Sequence, residues 1–339
     1  MDTVKRLSLV CCLLLIATIA QASPTIDKVR KANVLVCGID QNEAEYSTTD
    51  DHGARVAFDQ DLCKAVAVSV LGPKARIVIR GYPDDQTAMD ALRSGEVDLI
   101  ASLSDDFSHS TDPSISLSRP ILYDGVSVMV PISSGISRTE ELSGKKICFI
   151  AETEVEVNLR AWFEGRHLLF VPFPFQEEGE MEAAYITNNC TGVAGDLTRL
   201  AVTRAAFGQQ AHDHTLLPDL LSKDPLAIAS RSSDSQWGKL LQWVTNVLIQ
   251  AEESGITAAN INAMHTNHDP TVERLLGNTR ELGRPLGLDD LWANHVITAT
   301  GNYGEIFNRD LGADSPLRLE RGQNALWTHG GLMYAEPLK

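Results

Sequence analysis

The sequence is short of aromatic residues and of cations. Phe, Trp and Tyr make up 6% of it, and 29 Lys and Arg face 45 Asp and Glu across 339 residues, for a formal net charge of −16. An acidic surplus of this size repels phosphate backbones and anionic lipid, so neither nucleic acid nor a membrane surface is an expected partner. No Cys-x-x-Cys and no His-Glu-x-x-His occurs, which removes the common zinc spacings, and no metal or other cofactor is expected. The pairs His212/His214 and His265/His268 fall in polar stretches and read as solvated loop residues. A Gly-x-Ser-x-Gly elbow and a Walker-type glycine loop are also missing. Asp105-Asp106 could supply acid–base chemistry, but neighbours on a strand-end loop point apart, so no nucleophile-and-base set assembles and an enzyme is not expected. No apolar stretch reaches the roughly 20 residues of a membrane span.

What is present starts with an address. Lys5 and Arg6 precede the apolar run Leu7–Ala20, which ends in Ala20-Gln21-Ala22 before Ser23. That layout is a cleaved secretory signal over 1–22, and it implies export of the mature protein. Cys11 and Cys12 leave with it, and Cys37, Cys63, Cys148 and Cys190 remain. An oxidising compartment favours pairing, although four cysteines allow three connectivities. Pairing Cys37 with Cys63 and Cys148 with Cys190 joins, in each case, a predicted strand to an element near it in the same lobe.

The mature length suggests two domains. Strands at 33–38, 76–80 and 97–101 alternate with helices at 59–71 and 86–94, the grammar of an α/β layer with a largely parallel sheet. The pattern restarts with strands at 145–150, 168–171 and 191–194 and helices at 155–163 and 180–188. Two apolar runs, Tyr123–Val130 and Leu226–Ser230, lie where the chain would pass between the units, as a two-segment hinge requires. A helix over 236–253 places Trp237, Leu240, Leu241, Val244, Val247 and Leu248 at core spacing. The tail from 256 reads as helical and interrupted by glycine. The expected boundaries are therefore 23–127 with 225–255 for lobe 1, 128–224 for lobe 2, and 256–339 for an extension packing on lobe 1 and the hinge.

The blocks Gly301-Asn-Tyr-Gly-Glu-Ile-Phe-Asn-Arg309 and Asn324-Ala-Leu-Trp-Thr-His-Gly-Gly-Leu-Met-Tyr334 are long and unusual. With Leu35–Gly38, Phe58–Cys63, Ser94–Asp98, Glu141–Gly144 and Ser222–Leu226, they make the chain resemble the periplasmic general L-amino-acid-binding proteins of ABC transporters. The resemblance implies a type II periplasmic binding fold whose two α/β lobes close on a small solute and present it, as a monomer, to a transporter permease. Closure of this kind is a population shift toward the state that binds more tightly.

The ligand set implied by the resemblance is only partly kept. Such families hold the carboxylate of an amino acid with an Arg fork, which suits its planar geometry, yet Ile100–Thr111 contains no Arg and puts His109 or Ser110 in its place. In the second lobe the Gly-Thr-Thr-like turn becomes Ala151-Glu-Thr-Glu154, which keeps Thr153 and adds Glu154. Asp196 matches the ammonium-binding Asp, and Tyr46 matches the aromatic that covers the solute. Ligand contacts are accordingly expected from Tyr46, Asp59, Ser104, Asp105, His109, Ser110, Thr153, Glu154 and Asp196. Acids at Asp40, Glu43, Glu45, Asp105, Asp106, Glu152 and Glu154 would crowd the cleft edge and favour an amino acid of dominant positive charge or a cationic amine, with Tyr46 adding a cation–π contact. The alternatives are that these acids merely face solvent, that the scaffold is now a sensor or partner protein, or that it is a periplasmic lyase or dehydratase.

Overall fold

The computed structural model describes residues 23–41, 48–49, 55–279 and 282–339. The export signal, Tyr46, Glu43 and Glu45 lie outside the described residues. Two sheets organise the chain. The first contains Leu35–Asp40 (β1), Ile77–Tyr82 (β4), Leu99–Ser104 (β5), Ile115–Asp124 (β6) and Asp224–Arg231 (β12), in the order β4-β1-β5-β12-β6. The second contains Val126–Pro131 (β7), Lys146–Ile150 (β8), Val171–Phe175 (β9), Gly192–Asp196 (β10) and His214–Leu216 (β11), in the order β11-β7-β10-β8-β9. Thr48–Thr49 (β2) and Arg55–Val56 (β3) form a separate antiparallel pair.

The interior strands are apolar on both faces because helices cover both sides. Leu35, Cys37 and Ile39 of β1 are buried, and the helix Phe58–Leu71 packs its own buried stripe in the same cluster. Both sheets are mixed, where the repeated strand–helix grammar predicts largely parallel ones. β1 pairs in parallel with β4 and β5, but β12 runs antiparallel to β5 and β6, and β7 antiparallel to β10 and β11. The cause is the crossing itself. A strand that leaves one sheet to enter the other has no covering helix to return it in parallel.

The crossing out falls at Gly125, between Asp124 of β6 and Val126 of β7. The crossing back runs through 217–223, and the two segments touch. A Cβ on Gly125 would stand 2.5 Å from the Ser222 carbonyl oxygen, and Val126 N–H donates to Ser222 Oγ at 2.9 Å. Only glycine fits so close an approach of two backbones.

Two local expectations are corrected. The strand predicted at 168–171 is displaced to Val171–Phe175, because Pro172 and Pro174 are tolerated at the sheet edge where β9 lies, while Leu168 and Phe170 pack under the second core. His214 is not a solvated loop residue. It begins β11, with its ring Nδ1 2.7 Å from the Tyr185 hydroxyl and its face against Phe207.

Cys37 pairs with Cys63 and Cys148 with Cys190; the first ties β1 to the helix Phe58–Leu71, the second ties β8 to the bend that enters β10. The tail is pinned at several points. Tyr303 Oη, fully buried, donates to Ile121 O at 2.9 Å. The Asn324 amide both accepts from Tyr123 N (2.7 Å) and donates to Tyr123 O (3.0 Å), beside the crossing. Arg309 pairs with Asp61, and Arg204 of the second lobe donates to Leu317 O at 2.5 Å.

Candidate functional site: an acidic cleft between the sheets

Strand ends and helix N-termini from both sheets converge on one cleft of about 410 Å3, the place where open α/β sheets bind ligands. The first lobe contributes Asp40 at the end of β1, Phe58 and Asp59 at the start of Phe58–Leu71, Asp85 at the start of Asp85–Ser94, and Ser102 and Ser104 from β5. The crossings contribute Asp124 and Asp224. From the second lobe come Glu178 opening Glu178–Ile186, Asp196 ending β10, and Thr198 and Arg199 from the helix Leu197–Ala206. Asp310, Leu311 and Leu317 reach in from the tail.

Asp124 holds the lobes in register. It is buried, and its Oδ1 accepts from Gly125 N (2.8 Å) and Leu197 N (3.1 Å), while Oδ2 accepts from Thr198 N (3.3 Å) and the Thr198 hydroxyl. The last residue of β6 thus satisfies the free amides at the N-terminus of a second-lobe helix. Burial raises its carboxyl above the ordinary range, against these hydrogen bonds. Asp124→Ala should destabilise the protein by about 2 kcal/mol, the upper range for losing a cap. Faster hydrogen exchange confined to the Leu197 and Thr198 amides is the accompanying signature.

Since Asp124 does the capping, Asp196, the formal N-cap of that helix, makes no side-chain cap bond. Its carboxyl opens into the cleft, where the surrounding walls, and then Asp124 and Asp224, push it up to about 6 from 3.8. The native state therefore keeps a proton that the unfolded chain has lost between 3.8 and about 6. The contribution of this group to stability is full at the acid end and falls as pH rises through that window. Asp196→Asn should flatten that decline in urea midpoints measured across the same range. Asp85 is also raised, by burial first; His109 opposes the shift and Asp40, Asp224 and Asp106 add to it.

Of the residues expected to touch a ligand, the structure brings Asp59, Ser104 and Asp196 together in the cleft lining. Of the rest, Asp105, His109, Ser110, Thr153 and Glu154 fall outside it, and Tyr46 lies outside the described residues. The His109 ring lies between Asp106 (Nδ1 to Oδ2, 3.2 Å) and Asp85 (Nε2 to Oδ2, 3.9 Å). Ser110 Oγ turns to Phe107 O at 3.4 Å. Asp105 N–H donates to Pro225 O at 2.7 Å, and burial, with Asp106, raises its carboxyl. Thr153 Oγ1 closes a turn on Ile150 O at 2.8 Å, and Glu154, exposed, begins Glu154–Gly165. Of the acids expected at the edge, Asp40 lines the cleft, while Asp106, Glu152 and Glu154 are exposed outside its lining. Sequence reasoning passed over Asp85, Asp124, Glu178, Asp224 and Asp310. The available signal was their position, an acid at the end of a strand or in the first turn of a helix; Asp310, at the end of a helix, carried none.

No family model matches the chain. It is 36% identical over 328 residues to the glutamate/glutamine/aspartate/asparagine-binding protein BztA of Rhodobacter capsulatus, covering 96% of both chains. It is 35% identical over 325 residues to the general L-amino acid-binding periplasmic protein AapJ of Rhizobium johnstonii, covering 94% of both. Among solved structures it resembles an ABC transporter periplasmic binding protein from Brucella ovis with glutathione bound. The TM-score is 0.80 and the identity 33%, with 94% of this chain and 100% of that one covered.

Proposed function

The chain belongs to the amino-acid-binding periplasmic proteins of ABC transporters, and from that premise we propose that it captures an amino acid or related amine in the cleft and delivers it to a membrane permease. The observation that carries the reading is a single cleft of solute size, lined at once by both sheets, both crossings and the tail. In this reading the lobes are 23–127 with 225–255, and 128–224, and the segments at Gly125 and 217–223 act as the hinge. Few residues cross, so small dihedral changes there can swing one sheet toward the other. Residues 1–22 direct export and are removed between Ala22 and Ser23, and the mature protein works as a monomer. N-terminal sequencing and sedimentation of the exported protein test those two points.

The function itself is tested by X-ray scattering and thermal denaturation against a panel of L-amino acids and amines. A bound solute should shrink the radius of gyration and raise stability, by about 2.7 kcal/mol at a hundredfold excess over Kd. A panel that changes neither would reject the reading. The missing Arg in Ile100–Thr111 supports a second reading, a sensor that binds its solute without transport. Uptake of radiolabelled solute by cells carrying the protein and its permease distinguishes the two, since a sensor binds yet gives no uptake.

A further inference from the structure

We propose that the solute is an extended organic polycation, a linear di- or triamine, held at the same time by carboxylates of the first lobe, the crossings and the second lobe. This deepens the solute-binding reading and rests on it.

The first argument is where the charge lies. Asp40 and Asp85 stand on the first-lobe wall, Asp224 at the crossing back, and Asp196 on the opposite wall, while Asp124 is spent on the helix amides it caps. Arg199 is the one lysine or arginine of the lining among the described residues, and it is ion-paired with Glu178. An amino acid would bring a carboxylate into this surround, where like charges at short range in a partly dry site repel strongly. An amine without a carboxylate avoids that repulsion.

The second argument is independent of the acid count. Asp59, 2% exposed, lines the cleft floor; its Oδ1 accepts the Ser102 hydroxyl at 2.5 Å, and its buried Oδ2 has no partner among the described residues. A buried carboxylate oxygen without a donor is costly. The spare oxygen of Asp59, on the cleft lining, is an acceptor set for an ammonium N–H group.

The third argument separates an organic cation from a metal ion. No three carboxylates, histidines or cysteines converge closely enough to hold a metal among the described residues. The negative charge is strung along the cleft, which suits ammonium groups spaced on a flexible chain. The upward shifts at Asp85 and Asp196 agree, because a bound cation favours their ionised forms and would reverse them.

Isothermal titration of the purified protein with spermidine, putrescine, arginine and glutamate tests the inference. Spermidine is expected to bind one to one and most tightly, glutamate least, with spermidine affinity falling as pH is lowered toward 5, roughly where Asp196 gains its proton. Asp85→Asn and Asp196→Asn, both at open positions, should each weaken spermidine by about tenfold or more, the scale of losing one partner of a desolvated charge pair. Glutamate or a neutral amino acid binding more tightly than every amine would overturn the polycation and leave the transporter reading standing. Spermidine binding at several sites, unaffected by either substitution, would mark mere attraction to an acidic surface and also overturn it. No binding by any solute, here or in the wider panel, would remove both readings.

Discussion

Trp237→Ala is expected to cost the first lobe about 4 kcal/mol, in the middle of the range for truncating a buried aromatic to alanine. Trp237 is fully buried in the larger core, near the start of the helix Ser235–Glu253. Its indole Nε1 donates to Asp98 O at 2.9 Å, and its backbone N–H donates to the cap residue Asp234 at 3.0 Å. The other oxygen of Asp234 accepts from the Ser23 hydroxyl (2.7 Å) and Thr25 N (2.9 Å). The substitution thus leaves a cavity and strips a donor from a buried carbonyl, at the point where the long helix, the entry to β5 and the mature N-terminus meet. Urea unfolding followed by circular dichroism reads the loss. Hydrogen exchange of amides around Leu159 and Phe163, in the separate core of the second lobe, should change much less if the lobes unfold separately. Trp237→Phe should recover part of the loss, since it refills volume without the indole donor.

Removing either disulfide is expected to cost about 3 kcal/mol, from the loop-closure entropy regained by the unfolded chain. The sequence separations are 26 for Cys37–Cys63 and 42 for Cys148–Cys190. Because the term grows only with the logarithm of loop length, the second should exceed the first by no more than about half a kcal/mol. Each bond lies within one sheet-and-helix layer. The double replacement Cys37→Ala with Cys63→Ala should therefore lower the melting of the first lobe, and Cys148→Ala with Cys190→Ala that of the second. Differential scanning calorimetry with and without reductant checks both. One unshifted transition after reduction would mean that the bonds carry little of the stability.

These two outcomes concern features legible without coordinates. The spacing of Trp237, Leu240, Leu241, Val244 and Leu248 marks one buried helix face, and the structure buries all five. The cysteine pairing is one of three the sequence leaves open, chosen because each bond would stay within one lobe, and the structure makes that choice. The displaced edge strand Val171–Phe175 shows where such reading stops: a hydrophobic run beside two prolines has more than one acceptable register, and only packing against β8 selects one.

The cleft was legible in its charge but not in its membership. Asp59, Ser104 and Asp196 could be placed from local motifs, whereas Asp124 and Asp224 looked like ordinary residues at the edges of apolar runs. The role of Asp124 depends on a second-lobe helix that begins at Leu197, 73 positions away in the chain.

By itself the sequence determined the two α/β units and the acidic balance, because periodicity, apolar spacing and charge are properties of neighbouring residues. The tertiary structure alone decided that Asp124 caps a helix of the other lobe, which leaves Asp196 open to the cleft, and that Asp59 reaches the same cleft with a buried oxygen to spare. Such facts arise when segments far apart in the chain compete for the same hydrogen-bond donors in a water-poor space, and no local pattern records the outcome.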